Sequence, residues 1–360
     1  MNKEISSYHG IWSLYTPLIK MHGRGGKENM KKIINDPNQV VQDMIEGMIA
    51  AYPNELKQIS GTTAITRSEA PVQGKVGLVS GGGSGHEPAH AGYIGKGMLD
   101  AAVLGEVFTS PTPDQIYEAI KAVDGGNGVF LIIKNYTGDV LNFEMAMELA
   151  EADGIQVDKV IVNDDVAVED SSFTIGRRGI AGTVLVHKIV GAKAEHGATL
   201  EEVKTVAEKA AGNIRSIGMA LTPCTVPAAG KPSFQLAEDE MEIGIGIHGE
   251  AGIERKPITT ADEIASELTE KILADMNLNN NEEVAIMVNG LGATPEMELY
   301  IINKKVNQLL TEKGIQIYKT FVGEYMTALE MTGCSVTLLK LDDELKELLN
   351  AKSEAPAFRN

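Results

Sequence analysis

From residue 75 to residue 212 the chain alternates short apolar runs with amphipathic stretches, and this alternation restricts the fold more than any other feature. "KVGLVS" at 75–80, "GVFLIIKNY" at 128–136 and "VDKVIVN" at 157–163 read as buried strands. "PDQIYEAIKAV" at 113–123 and "DVLNFEMAMELAEADG" at 139–154 read as helices, the second stopped by Gly154. Two more helical stretches follow around 180–195 and 199–212. Upstream, Asp36 and Pro37 have the residue types of an N-cap and a first helical position, ahead of Val40, Val41, Met44, Ile45 and Met48 at helical spacing. Strands alternating with helices in this way predict an α/β sandwich on a largely parallel sheet.

The pattern changes after residue 212. "TPCTVPAAGKPSF" at 222–234 is irregular and broken by proline, and "EMEIGIGIHGE" at 240–250 alternates like a half-exposed strand. A helix is predicted at 260–274, a strand at 283–290 and a helix at 295–313. Strands "IQIYKTFVG" and "SVTLLKL" and the short helix "DDELKELLN" follow. The predicted fold class is α/β, with two α/β domains of mixed, largely parallel sheets flanked by helices. Their expected limits are 30–212 and 213–346, with a tail at 347–360.

Residues 1–29 read differently. Lys3, Lys20, Arg24 and Lys27 against Glu4 and Glu28 give a net +2, so of the formal −18 the rest of the chain carries −20. Trp12, the only tryptophan, lies here. We expect a disordered extension before Met30, the alternative being a docking arm built on Trp12 and Tyr15. The acidity of the rest opposes nucleic acid and anionic membranes as partners. No apolar run reaches the ~18 residues that span a bilayer. Two cysteines, Cys224 and Cys334, make neither a disulfide framework nor a zinc pattern, which suits a reducing cytoplasm.

Three stretches have the composition of a site. "GLVSGGGSGHEP" follows a predicted strand, but no Lys follows the glycines as a nucleotide-phosphate loop requires, and His86 occupies the place of the third glycine of a dinucleotide loop. Such a loop still lets backbone N–H groups approach a small ligand. "KNYTGD" places Lys134 and Asp139 around a turn at a strand end. Lys134 is a donor to oxygens and Asp139 an acceptor or base, although Asp139 also suits a helix cap. "GIGIHGE" matches a dinucleotide spacing, but Gly252 and Pro257 stand where its helix should begin. The pattern leaves His248 open between a hydrogen-bonded structural histidine and a functional one. Asp164, Asp165, Glu169 and Asp170 lack an EF-hand spacing and are expected to be a solvated acidic loop. His90, His187 and His196 are expected to be ordinary helix or surface residues.

"GLVSGGGSGHEPAHAGYIGKGMLDAAVLGEVFTSPTPDQI", "LIIKNYTGD", "GRRGIAGTVLVHKI", "CTVPAAGKPSF", "GIGIHGE" and "LGATPEMELY" occur in order. With them the chain resembles the dihydroxyacetone kinase family, in its dihydroxyacetone-binding part, from about Met30 to about Asp343. The resemblance implies a two-domain α/β homodimer that binds short-chain ketoses. It implies that His248 captures the carbonyl as a covalent hemiaminal, with His86 and Asp139 as the other catalytic residues. Gly83, Ser84, Gly85, His86, Lys134 and Asp139 would hold the substrate. No cofactor is expected in this chain. Without a phosphate loop, kinase signature or magnesium site, it resembles the separate subunit of the phosphoenolpyruvate-dependent system. There ADP and Mg sit on a nucleotide-binding partner subunit, itself served by a phosphohistidine carrier. The alternative the resemblance allows is a non-catalytic, dihydroxyacetone-sensing transcription coactivator.

Overall fold

The computed structural model describes residues 31–168 and 176–360, and residues 34–360 form one compact unit. The expected extension at 1–29, and Glu169 and Asp170, lie outside the described residues.

Among the described residues there are two six-stranded sheets and eight α-helices. The first sheet contains β1 (Leu56–Gln58), β2 (Ala64–Arg67), β3 (Gly77–Ser84), β4 (Ala101–Val107), β5 (Val129–Lys134) and β6 (Val157–Val162), in the order β1-β2-β4-β3-β5-β6. Its four strands β4, β3, β5 and β6 are mutually parallel, and β1 and β2 pair antiparallel at one side. The second sheet contains β7 (Ile214–Ala220), β8 (Glu240–Ile243), β9 (Glu254–Pro257), β10 (Glu283–Gly290), β11 (Gln316–Gly323) and β12 (Gly333–Leu341), in the order β11-β10-β12-β7-β8-β9. Here β10 and β11 are parallel and the remaining pairs antiparallel. The class is therefore mixed α/β.

Side-chain alternation explains the layers. Leu131 and Ile133 of β5 face α2 (Pro113–Val123) and α3 (Thr137–Ala152), in one core with Ile116, Ile120, Phe143 and Ala146. Phe130 and Ile132 face the opposite way, into a core shared with α4 (Thr183–Glu195), α5 (Leu200–Gly212) and α8 (Asp343–Asn350). Ala285 and Met287 of β10 enter that same core from the second sheet. Val284, Ile286 and Val288 turn to α6 (Ala261–Met276) and α7 (Glu296–Glu312). Strands covered on both faces read as continuous apolar runs, which is how β5 and β10 look in sequence.

Three local expectations change. The first helix, α1, is Val40–Ala51 with Gln39 at its N-cap. Asp36 instead makes a turn, its carboxylate accepting from the Asn38 N–H and its carbonyl from the Gln39 N–H. The strand entering the glycines does not stop at Ser80 but runs to Ser84, buried throughout. The strand begun at Glu240 ends at Ile243, because Gly244 takes φ +75, and residues 241–247 are all buried rather than half-exposed. No helix among the described residues is long and apolar enough to cross a membrane.

Candidate active site

The carboxyl ends of β3 and β5 lie side by side, as adjacent parallel strands require. Beyond β3, the chain is tied to the segment after β11: the Leu329 N–H donates to the Gly85 carbonyl and the Thr327 N–H to the His86 carbonyl. Asn289, at the end of β10, pins that segment by accepting from the N–H groups of Tyr325 and Met326 and donating to the Met326 carbonyl. The loop after β8 completes the ring of elements and brings His248 to His86.

His86 is fully buried. Its Nδ1 lies 2.8 Å from the Thr327 carbonyl. A carbonyl only accepts, so Nδ1 carries the proton and Nε2 the lone pair. That Nε2 is buried without a partner. Burial, then the neighbouring His248 and Lys134, push the His86 pKa well below the usual histidine range. Phe108 stacks on the ring at 5.0 Å, and His248 meets it edge-on at 4.7 Å. Phe108 itself holds φ +57, a left-handed conformation unusual for a bulky side chain and concentrated at functional sites.

His248 is gripped by a single carboxylate. Glu250 Oε1 lies 2.7 Å from Nδ1, and Oε2 accepts from the His248 backbone N–H at 2.9 Å. The ionised carboxylate only accepts, which places the ring proton on Nδ1 and the lone pair on Nε2. Burial works to raise the Glu250 carboxyl, but His248 by charge and hydrogen bond, and Arg178 by charge, bring it down to about 2. The loop makes room for this arrangement at Gly246, where a Cβ would collide with the Glu250 carboxylate and the Arg178 guanidinium. Arg178 is fully buried, paired with Asp165 at 2.7 Å and donating to the Gly244 carbonyl. Tyr136 packs its ring edge-on against His248 at 4.6 Å, with its hydroxyl buried and unpartnered.

The polar floor comes from β5 and α3. Lys134 Nζ donates to the Gly81 carbonyl at 3.1 Å, contacts His90 Nε2 at 2.7 Å and lies 3.8 Å from Asp139 Oδ2. Asp139 Oδ1 is buried without a partner. Asp139 does not cap the helix; it sits in the first turn of α3, whose N-cap is Tyr136. Gly82 has φ +151, and a Cβ there would stand 2.5 Å from Lys134 Nζ, so the absence of a side chain lets the floor close against β3. The Ser84 hydroxyl donates to the Gly105 carbonyl at 2.7 Å, and the Gly85 N–H faces the Glu87 carboxylate at 3.1 Å. A Cβ at Gly83 would meet the Phe108 and Thr109 backbone.

His86, Lys134, Asp139 and His248 thus converge, together with Glu250, Tyr136, Phe108 and Arg178, which the sequence reading did not single out. Glu250 stood beside a flagged histidine and its spacing was a usable signal; Phe108 and Arg178 gave none. Two expectations are corrected. Asp164 and Asp165 are fully buried, not solvated: Asp164 accepts from the N–H groups of Ile180 and Gly182, and Asp165 pairs with Arg178. His90 and His187 are buried and in contact at 2.9 Å, not isolated. Among the described residues no group of three or more His, Cys, Asp or Glu side chains is placed to hold a metal ion.

Fold and site define a mixed α/β protein whose reactive groups gather where two sheets meet: two lone-pair imidazole nitrogens, an ammonium and a carboxylate. Residues 46–357 match the Dak1 domain, and the chain belongs to that family. It is 58% identical, over 315 residues, to the dihydroxyacetone-binding subunit of the PTS-dependent dihydroxyacetone kinase 1 of Listeria innocua, with 88% of this chain and 95% of that one covered. It is similar to the crystal structure of the dihydroxyacetone kinase of C. freundii, with a TM-score of 0.85 and 36% identity over 92% of this chain and 60% of that one. It is also similar to a dihydroxyacetone kinase operon co-activator, with a TM-score of 0.83 and 38% identity over 90% of this chain and 98% of that one.

Proposed function

We propose that this chain is the dihydroxyacetone-binding subunit of a phosphoenolpyruvate-dependent dihydroxyacetone kinase. The observation that carries the reading is the Glu250 clamp, which leaves the lone pair on Nε2 of a His248 ring that packs edge-on with His86 and Tyr136. Nε2 adds to the ketone carbon, the carbonyl π pair moves to oxygen, and that oxygen takes a proton from solvent while the ring keeps its Nδ1 proton and becomes cationic. Glu250 offsets the positive charge that develops on the ring. The new hydroxyl then donates to His86 Nε2. Covalent attachment fixes one orientation and so removes part of the entropic barrier. It also rejects glycerol, which offers similar hydroxyls but no carbonyl. Lys134 and the backbone around Gly83, Ser84 and Gly85 hold the substrate oxygens. Asp139 takes the proton from the terminal hydroxyl as that oxygen attacks phosphorus.

The donor comes from outside the chain: a partner subunit carrying ADP and Mg, recharged by a phosphohistidine carrier. We place the protein, as a homodimer, in the cytoplasm. The similarity to the co-activator supports a second reading, a dihydroxyacetone sensor without catalysis, but the presence of His86 and Asp139 beside His248 favours the enzyme.

The test uses dihydroxyacetone labelled with ¹³C at the carbonyl. We expect the bound ketone signal to be replaced by a hemiaminal signal in the wild type, and not in His248→Ala. Adduct in His248→Ala overturns the assignment. Turnover should require the nucleotide-binding subunit and phosphoenolpyruvate; product from ATP and this chain alone would refute the divided site, and adduct without turnover under any donor would favour the sensor.

A further inference from the structure

Behind the site a line of polar groups runs into the core, and the proposed chemistry uses only its first member. Lys134 Nζ contacts His90 Nε2 at 2.7 Å, and His90 Nδ1 contacts His187 Nε2 at 2.9 Å. His187 lies on α4, where every residue from Thr183 to Ala192 is buried. Its Nδ1 has no partner. The three groups come from β5, from the loop after β3 and from α4, each from a separate part of the chain. Burying three such groups in apolar surroundings is costly unless they satisfy one another.

The hydrogen-bond inventory fixes the direction. A charged Lys134 has three N–H donors and no acceptor, so His90 Nε2 must accept. His90 Nδ1 then holds the proton and donates to His187 Nε2, which leaves the proton of His187 on Nδ1. Two of the three Lys134 donors go to the Gly81 carbonyl and to His90. The third is left for the Asp139 side, where Oδ2 stands at 3.8 Å and Oδ1 is open, and there it is shared between that carboxylate and a bound substrate oxygen.

We infer that His90 and His187 are positioning residues that aim the Lys134 ammonium at Asp139, so that one carboxylate oxygen is neutralised and the other is left to take the substrate proton. Burial lowers the pKa of both rings, that of His187 to about 3, in keeping with two neutral members of a fixed line. The inference rests on the proposed role of Asp139. It assigns the pair to the phosphoryl-transfer step and not to capture, since His248 is held by Glu250 on another wall.

The direct test is ¹⁵N NMR of histidine-labelled wild-type protein without substrate, which reads the tautomers whether or not the kinase reading holds. We expect both His90 and His187 in the Nδ1–H form. The Nε2–H form on either ring reverses the line, makes Lys134 the acceptor and overturns the inference. The second test separates capture from turnover. His187→Gln can supply an acceptor oxygen near the position of Nε2, and His187→Leu cannot. We expect the Leu variant to form hemiaminal at the wild-type level while turnover falls roughly tenfold or more, as misplacement of a catalytic group does. The Gln variant should recover most of that loss. Wild-type turnover in the Leu variant, equal loss in both, or loss of capture in step with turnover each sinks the assignment. If the Leu variant does not fold, the wild-type tautomers and the Gln variant decide.

Discussion

The two walls that present His86 and His248 are built by different means. On the His86 side the groups that hold the ring and the glycine strand are main-chain atoms: the Thr327 carbonyl accepts from His86 Nδ1, the Gly105 carbonyl accepts from the Ser84 hydroxyl, and the Gly85 and Ser84 carbonyls accept from the Leu329 and Phe108 N–H groups. On the His248 side the holding groups are side chains, Glu250 on the ring and Arg178 on the Gly244 carbonyl, backed by Asp165. A main-chain wall tolerates side-chain changes that leave its backbone alone but has no slack for an added atom. A side-chain wall can be retuned one residue at a time.

The largest effect should come from adding a single methyl to the first wall. At Gly83 an alanine Cβ would lie 2.5 Å from the Thr109 nitrogen and 2.7 Å from the Phe108 Cα, both backbone atoms that cannot swing aside. Relief requires β3 to part from the Phe108 turn. We expect Gly83→Ala to lose about 3 kcal/mol of stability by chemical denaturation. A loss within experimental error of zero would break the comparison, because the wall would then yield as a side chain does.

Much of the difference between the walls follows from how each is written in the chain. A run of glycines after an apolar strand is a local signal, and so are the apolar periods that set α2, α3, β5 and β10. The Asp165–Arg178–Gly244 arrangement joins residues 13 and 66 positions apart, and His90 meets His187 across 97 positions. No local pattern records such meetings. The pair Asp164–Asp165 misled for a definite reason: adjacent carboxylates are generally hydrated, and here Arg178 and the amides of Ala167, Ile180 and Gly182 offset the cost of burying them. The strand β4, "AAVLGEV", escaped because Gly105 and Glu106 interrupt its apolar run. Strand direction in the second sheet depends on long connections, which composition does not encode.

The second wall should respond to charge rather than to bulk. Glu250→Gln keeps the size of the side chain and an oxygen able to accept from His248 Nδ1. It removes the charge that offsets a cation forming on the ring. We expect the hemiaminal equilibrium to weaken by about 2 kcal/mol, roughly thirtyfold, while the stability of the free protein changes by less. Titration with labelled dihydroxyacetone measures the first quantity and denaturation the second. A stability loss larger than the loss of capture would mean that this wall is a packing device like the other.

The smallest effect is a slope. His86, His90 and His187 are all buried with pKa values depressed by burial, His187 to about 3 from 6.5. Above pH 6.5 the His187 ring is neutral in folded and unfolded chains alike and contributes nothing to pH dependence. Between about 3 and 6.5 the unfolded chain binds a proton that the folded chain excludes, so stability falls as pH falls. One such histidine contributes about 1.4 kcal/mol per pH unit well inside that window. His187→Gln removes one titrating ring, so its stability between pH 4 and 6 should fall with a slope lower by about that amount than in the wild type. Denaturation at a series of pH values measures both slopes. Equal slopes would mean that His187 takes up its proton inside the folded core, in which case the polar line behind Lys134 is as adjustable as the Glu250 wall and not fixed like the glycine strand.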